Sequence, residues 1–267
     1  LAVQLLGYLD GEGHDAAGLE AAFDELLTGS GAGDTLVCTV NAQGKLRAEP
    51  VLTPADSGAV GVQLTLSREI QQTAEAVANE TMQSGCILVL DTANAKVRAC
   101  VSRPGYDPEN ISASLNAPDS PLLERAFQCY AVGSVFKPAV AAAALEQGIS
   151  PSIKYDCTGV TEIGGVEFGC YEHKAHGVID MCGALERSCN AYFIHLAQKL
   201  DREKMISTLS NLGFGKPISL CEGMSSASGY LPNASELDSK AAVANIAFGQ
   251  GSLTASPLTV CAYMSCI

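Results

Sequence analysis

Ser134 and Lys137 stand three residues apart in Gly133-Ser134-Val135-Phe136-Lys137-Pro138, a spacing that puts two side chains on one face of a helix. A serine hydroxyl beside a lysine amine is a nucleophile beside its base, provided the amine is neutral. A solvated lysine titrates at about 10.4, so it must be desolvated or set near other positive charge to act near neutrality. The small apolar residues of 138–145 supply the first condition by letting neighbouring elements pack close, and Gly148 can stop the helix. Pro138 is tolerated only near a helix start, which places Ser134 in the first turn, at the positive end of the helix dipole. Gly133 lets the backbone turn sharply just before it. By ordinary residue frequencies a chain of this length holds about one S-x-x-K by chance, so the tetrad takes its meaning from its surroundings.

Several elements must position it. Residues 1–57 read as a short apolar strand, a Gly-rich turn over 11–18, a helix over 19–27 and a second Gly-rich run over 29–33. Pro50, Pro54 and Gly58 punctuate a boundary. Beyond it, 61–66 reads as a strand and 68–83 as a helix with Ile70, Ala74, Val77 and Met82 on one face. Residues 86–91 and 96–102 form a hairpin in which Val97, Ala99 and Val101 alternate. A long polar loop over 103–121 delivers the chain to Ser134, and loops of that length are often functional. Downstream, 177–187 and 191–200 read as helices, with Met205, Ile206, Leu209 and Leu212 marking a third. Ser188-Cys189-Asn190 interrupts the first two, where Ser188 and Asn190 can point a hydroxyl and an amide into a shared cleft. Capping the next helix is the commoner job for either residue, and Ser114-Leu115-Asn116 repeats the pattern in a loop. His195 lies on an apolar helix face and reads as a hydrogen-bonded packing histidine.

Composition narrows the classes. The 267 residues, 47% of them hydrophobic, can bury a sizeable core. A net charge of −13 leaves no basic stripe and excludes a nucleic-acid partner. No stretch approaches the 18 or so apolar residues that span a bilayer, and the N-terminal residues lack the flanks of a signal peptide. Gly11-x-Gly13-x-x-Ala16 resembles a dinucleotide fingerprint but is not followed by a clean βαβ unit. Eleven cysteines is an odd number, so at least one is unpaired within the chain. Cys86, Cys100, Cys129, Cys189 and Cys261 sit in apolar segments as small hydrophobes would. Cys157 and Cys170 flank a hairpin-like segment and form the best disulfide candidate, while the remaining thiols suit a reducing setting. Cys170-x2-His173-x2-His176, with Cys157 and Cys182 nearby, also offers soft metal ligands, although C-x2-C repetition is absent and 171–177 reads more simply as a polar loop.

Together these residues resemble a family, the penicillin-binding proteins, and within it the class B D,D-transpeptidases. S-x-x-K and S-D-N belong to the signature of that family and of the class A β-lactamases. Gly133-Ser134-Val135-Phe136-Lys137-Pro138 is similar to the nucleophile helix, and Ser188-Cys189-Asn190-Ala191-Tyr192-Phe193 to the second motif. Ser102-Arg103-Pro104-Gly105-Tyr106-Asp107-Pro108 resembles the opening of the transpeptidase domain. Leu212-Gly213-Phe214-Gly215 and Phe248-Gly249-Gln250-Gly251 resemble later segments, and residues 1–57 resemble part of a pedestal.

The resemblance implies an α/β (α+β) fold with helices packed on an antiparallel sheet. It implies a partial pedestal over 1–57, and the N-terminal and central transpeptidase domain over 58–267. It assigns Ser134 as nucleophile, Lys137 as general base, Ser188 as proton relay and Asn190 as orienter of the substrate amide, and it requires no metal or organic cofactor. The partners implied are peptidoglycan stem peptides, β-lactam antibiotics and other cell-wall synthesis or division proteins. The place implied is the extracytoplasmic face of the bacterial membrane, reached through an anchor outside this chain. No K-T-G or K-S-G occurs, so the expected sheet is incomplete and the chain is expected to be inactive alone. A serine β-lactamase or D,D-carboxypeptidase would share the acylation groups, and a β-lactam sensor or division scaffold would keep the fold without turnover.

Overall fold

The computed structural model describes residues 1–9, 16–28, 33–41, 43–54 and 60–267. The glycines at 11, 13, 29, 31 and 58 on which the fingerprint, the Gly-rich runs and the boundary were read lie outside the described residues.

The chain opens with α1 (Val3–Leu6), α2 (Gly18–Ala22) and α3 (Asp24–Thr28), followed by the hairpin of β1 (Thr35–Val37) and β2 (Val51–Thr53). Next come α4 (Arg68–Thr81), β3 (Gly85–Leu90) and β4 (Val97–Arg103), then the short β5 (Tyr130–Ala131) and α5 (Lys137–Glu146). The middle of the chain holds β6 (Tyr155–Cys157), β7 (Val160–Ile163), β8 (Val166–Gly169) and β9 (Gly177–Ile179), then α6 (Met181–Glu186), α7 (Asn190–Ala197) and α8 (Arg202–Asn211). It closes with β10 (Ser219–Cys221), β11 (Met224–Ser225), α9 (Lys240–Ile246), β12 (Thr254–Ala255) and α10 (Pro257–Met264). Among the described residues the strands pair two by two, always antiparallel.

The largest core surrounds α5. An apolar helix with no polar face is buried in a core, and Ala139, Val140, Ala141, Ala143 and Ala144 are all buried, while Leu145 near the helix end stays half exposed. Their small side chains let α7 bring in Phe193 and Ile194, α8 bring in Met205 and Leu209, and α9 bring in Val243 and Ile246. The β3–β4 hairpin forms a second layer. Ala99 and Val101 pack against Ala74 and Ala78 of α4, whereas Cys100 faces Leu5, Phe127 and Leu258 on the other side. Both faces are covered, so Ala99 through Ser102 are buried without alternation.

Local packing overturns several sequence expectations. The apolar run at the N-terminus is the helical turn α1, not a strand, and the helix over 19–27 is split at Phe23. Residues 61–66 run beside β4 without joining its ladder; the contacts nearby are Thr65 Oγ1 to Val97 O, at 2.8 Å, and Ser67 N to Arg98 O. The buried face of α4 is Gln71, Ala74 and Ala78, leaving Ile70 38% and Val77 46% exposed. Gln71 is stabilised there because its amide both donates to Cys100 O and accepts from Cys100 N. Residues 177–179 are the strand β9, paired with β6, and α6 begins only after Asp180, whose carboxylate accepts the Gly183 N–H as an N-cap.

Candidate active site

Ser134 lies in a 3-10 turn, Gly133–Phe136, that runs directly into α5. The turn is held from across the molecule. β5 pairs with β12, and the Gly133 N–H donates to Gly249 O at 2.8 Å. Gly249 has φ 76°, and a Cβ there would stand 2.2 Å from Gly133 O. Only glycine allows two backbones to pass this closely, so Phe248-Gly249-Gln250 forms a wall behind the nucleophile. Tyr263 of α10 adds a hydrogen bond to Val135 O.

Lys137 is 1% exposed, while Ser134 and Ser188 are open to solvent. Its ammonium reaches Ser134 Oγ at 2.7 Å, Ser188 Oγ at 2.9 Å and Ser188 O at 3.1 Å. Burial pushes the amine down to about 8, opposed by the thiols of Cys170 and Cys189. The desolvation foreseen from the alanine-rich sequence is therefore the dominant cause. A lysine titrating near 8 has an appreciable neutral fraction at physiological pH, and its lone pair then faces the Ser134 hydroxyl.

Ser188 adopts φ 50°, a left-handed conformation costing about 1–3 kcal/mol in a residue other than glycine. That strain turns both its carbonyl and its hydroxyl toward Lys137. Cys189, not Ser188 or Asn190, caps α7, its sulfur accepting the Tyr192 N–H. Freed from capping, Asn190 donates through Nδ2 to Gly169 O at the end of β8, at 2.9 Å. The structure thus gathers Ser134, Lys137 and Ser188 into one hydrogen-bonded group, with Asn190 at its edge.

The competing candidates separate from this group. Ser114 and Asn116 stay in the 103–121 loop. His195 stacks on Tyr155 with ring centroids 4.3 Å apart and contacts Thr161 Oγ1 at 2.9 Å, a packing role. Cys157 and Cys170 flank the β7–β8 hairpin as expected, yet they are thiols with sulfurs 3.7 Å apart rather than a disulfide. Among the described residues, one group could hold a metal: Cys157, Cys170, His176 and Cys189. His173 and Cys182 are exposed and stand outside it. The sequence reading missed Cys189 as a ligand because its apolar neighbours disguised it, and it missed Gly169 O because a backbone acceptor has no sequence signature.

Comparison with known proteins identifies the family. The model of the penicillin binding protein transpeptidase domain matches residues 85–267. That is more than half of the chain, which therefore belongs to this family. Stage V sporulation protein D of Bacillus subtilis is 27% identical over 225 residues, covering 79% of this chain and 34% of that protein. Peptidoglycan D,D-transpeptidase PbpA of Mycolicibacterium smegmatis is 28% identical over 235 residues, covering 77% and 44%. The chain thus spans less than half the length of either relative. Among solved structures, PBP2 of Helicobacter pylori in complex with MreC superposes with a TM-score of 0.81 at 25% identity, covering 99% of this chain and 55% of that one. Penicillin-binding protein A of M. tuberculosis, in its imipenem acyl-enzyme complex, shares the fold at 20% identity with a TM-score of 0.78, covering 96% and 61%.

Proposed function

We propose that this protein is a peptidoglycan D,D-transpeptidase that cross-links stem peptides through an acyl-enzyme on Ser134 and is acylated there by β-lactams. The observation that carries the reading is the buried amine of Lys137, 2.7 Å from Ser134 Oγ and 2.9 Å from Ser188 Oγ. Neutral Lys137 takes the hydroxyl proton as Ser134 Oγ attacks the penultimate D-Ala carbonyl, and the Ser134 N–H serves as one oxyanion donor. The proton then passes from Lys137 through Ser188 Oγ to the departing D-Ala amine, leaving the acyl group on Ser134. An amine of a neighbouring stem attacks this ester, and its proton passes back through Ser188 and Lys137 to the departing Ser134 oxygen, so the new amide is released with Ser134 a hydroxyl and Lys137 neutral again. Asn190 orients the substrate amide. No step calls for a metal or organic cofactor.

Residues 1–57 serve as part of a pedestal and 58–267 as the body of the transpeptidase domain. The substrate puts the domain on the extracytoplasmic face of the membrane; among the described residues no helix is long and apolar enough to cross it. Partners of the cell-wall synthesis machinery fit the same reading, by analogy with the MreC complex of the Helicobacter protein.

The test is covalent labelling of the full-length protein by a fluorescent penicillin. Wild type is expected to label at Ser134, and Ser134→Ala is expected to remain dark. Equal labelling of both proteins overturns the reading. Rapid turnover of the label points instead to a β-lactamase, and the absence of labelling in folded wild type points to a non-catalytic scaffold.

A further inference from the structure

The thiols beside the second motif have no part in this chemistry, yet their arrangement is specific. Cys157 ends β6, Cys170 follows β8, His176 precedes β9, and Cys189 caps α7. Twelve, five and twelve residues separate them in turn. Cys157 Sγ lies 3.7 Å from Cys170 Sγ and 3.4 Å from His176 Nδ1, and Cys170 Sγ lies 3.8 Å from Cys189 Sγ. All four donor atoms fall within 4.8 Å of one another.

Four donors on a tetrahedral zinc ion, with bonds of about 2.3 Å to sulfur and 2.0 Å to nitrogen, stand about 3.8 Å apart for two sulfurs and about 3.5 Å for sulfur and nitrogen. The three contact distances match those values, the remaining pairs lie within 4.8 Å, and the sulfurs are far from the roughly 2.05 Å of a disulfide. Three sulfurs and one imidazole are the soft donor set that selects zinc over magnesium or calcium. The three cysteines are buried, and the imidazole edge borders a cavity of about 410 Å³ lined by Tyr171, Lys174, Ala175 and Arg187, which gives an ion a way in.

We propose that Cys157, Cys170, His176 and Cys189 form a structural zinc site. Binding displaces the thiol protons of the three cysteines, and Nδ1 of neutral His176 completes the tetrahedron. The complex carries one net negative charge, balanced by the neighbouring cations Lys174 and Arg187. Four protein ligands leave no open position, so the ion is structural rather than catalytic.

The site also fixes the cleft. Cys189 lies between Ser188 and Asn190, and Cys170 follows Gly169, whose carbonyl holds the Asn190 amide. One ion thereby ties both ends of the β6–β9 segment to the second motif, which makes Cys170 and Cys189 positioning residues. This consequence rests on the function proposed above; the metal assignment does not.

The experiment is metal analysis of the reduced, full-length protein. One zinc per chain is expected, and cobalt substitution is expected to give the visible absorption and thiolate charge transfer of a tetrahedral site. Cys157→Ser and Cys170→Ser are expected to lose the ion, whereas Cys182→Ser and His173→Ala retain it. If the serine variants fail to fold, competition between wild type and a chromogenic chelator for Zn²⁺ reads the site directly. Folded, reduced wild type that neither carries nor competes for zinc overturns the assignment. So does a native mass showing a Cys157–Cys170 disulfide, or iron in place of zinc. Removing the ion is expected to slow penicillin acylation at least about tenfold. Zinc that binds with no change in that rate overturns the positioning role while the labelling result for Ser134 stands.

Discussion

Two polar groups share the junction between α6 and α7 and solve opposite electrostatic problems. Toward α5, Ser188 faces a cation stripped of water; burial lowers Lys137 to about 8, and its partners are hydroxyl and carbonyl oxygens rather than a carboxylate. Toward the hairpin, Cys189 faces two thiols and an imidazole, soft donors gathered without a cation among them. The first arrangement destabilises the charged form of a base and so prepares it to accept a proton. The second is suited to receive positive charge from outside. On the function and metal site proposed above, adjacent residues of one tripeptide would serve reactivity on one side and rigidity on the other.

The largest expected effect separates the two. Lys137→Ala removes the base and is expected to slow penicillin acylation by about 10²–10⁴-fold, measured by stopped-flow or gel labelling, with zinc content unchanged. A variant that loses both would show that the two groups are one. Next, Gly249→Ala forces a Cβ against Gly133 O and displaces the Ser134 turn without touching a reacting atom. About a 10²-fold loss of acylation is expected, together with a lower Tm, while the thiol group keeps its ion.

The pH dependence comes third. Neutral Lys137 is the active form, so the acylation rate is expected to rise about tenfold per pH unit below about 8 and to level off above it. The same lysine bears on stability. Its folded value lies below the unfolded 10.5, so between about 8 and 10.5 the unfolded chain binds more protons and this lysine's contribution to stability grows with pH. The difference in stability between wild type and Lys137→Met, followed by denaturant titration across that window, isolates the contribution. A flat difference would mean the amine is not desolvated.

The smallest effect sharpens the role of the junction itself. Ser188→Ala and Ser188→Gly both remove the hydroxyl, but only glycine relieves the left-handed strain at φ 50°. The glycine variant is expected to be about 1 kcal/mol more stable than the alanine variant, by chemical denaturation, with acylation equally slowed in both.

Much of the reactive group was legible in the chain. Ser134 and Lys137 meet because three residues of helix bring them together, and the alanine-rich stretch announced the burial that tunes the amine. Ser188 and Asn190 could point into a shared cleft, but capping was the commoner use for either, and the family resemblance singled them out; in the structure Cys189 takes the cap instead. The thiol group was legible only in part. Cys157, Cys170 and His176 were noted, but His173 and Cys182 stood nearer in sequence than Cys189, and spacing rules favour near neighbours. Likewise the face of α4 was misplaced by one residue, because the buried position went to Gln71, whose amide is satisfied by Cys100, rather than to the more apolar Ile70.

By itself the sequence determined the local geometry of Ser134 and Lys137, the helical character of their surroundings and, through its motifs, the family. These properties depend on residues a turn apart, where backbone periodicity alone sets which side chains meet. Tertiary structure decided that the lysine is dry, that Gly249 presses on Gly133 across more than a hundred residues, and that four donors, three at or beside strand ends and one at a helix cap, converge within 4.8 Å. Such contacts arise from how hydrophobic faces pack, and packing is settled by the whole core rather than by any segment of it.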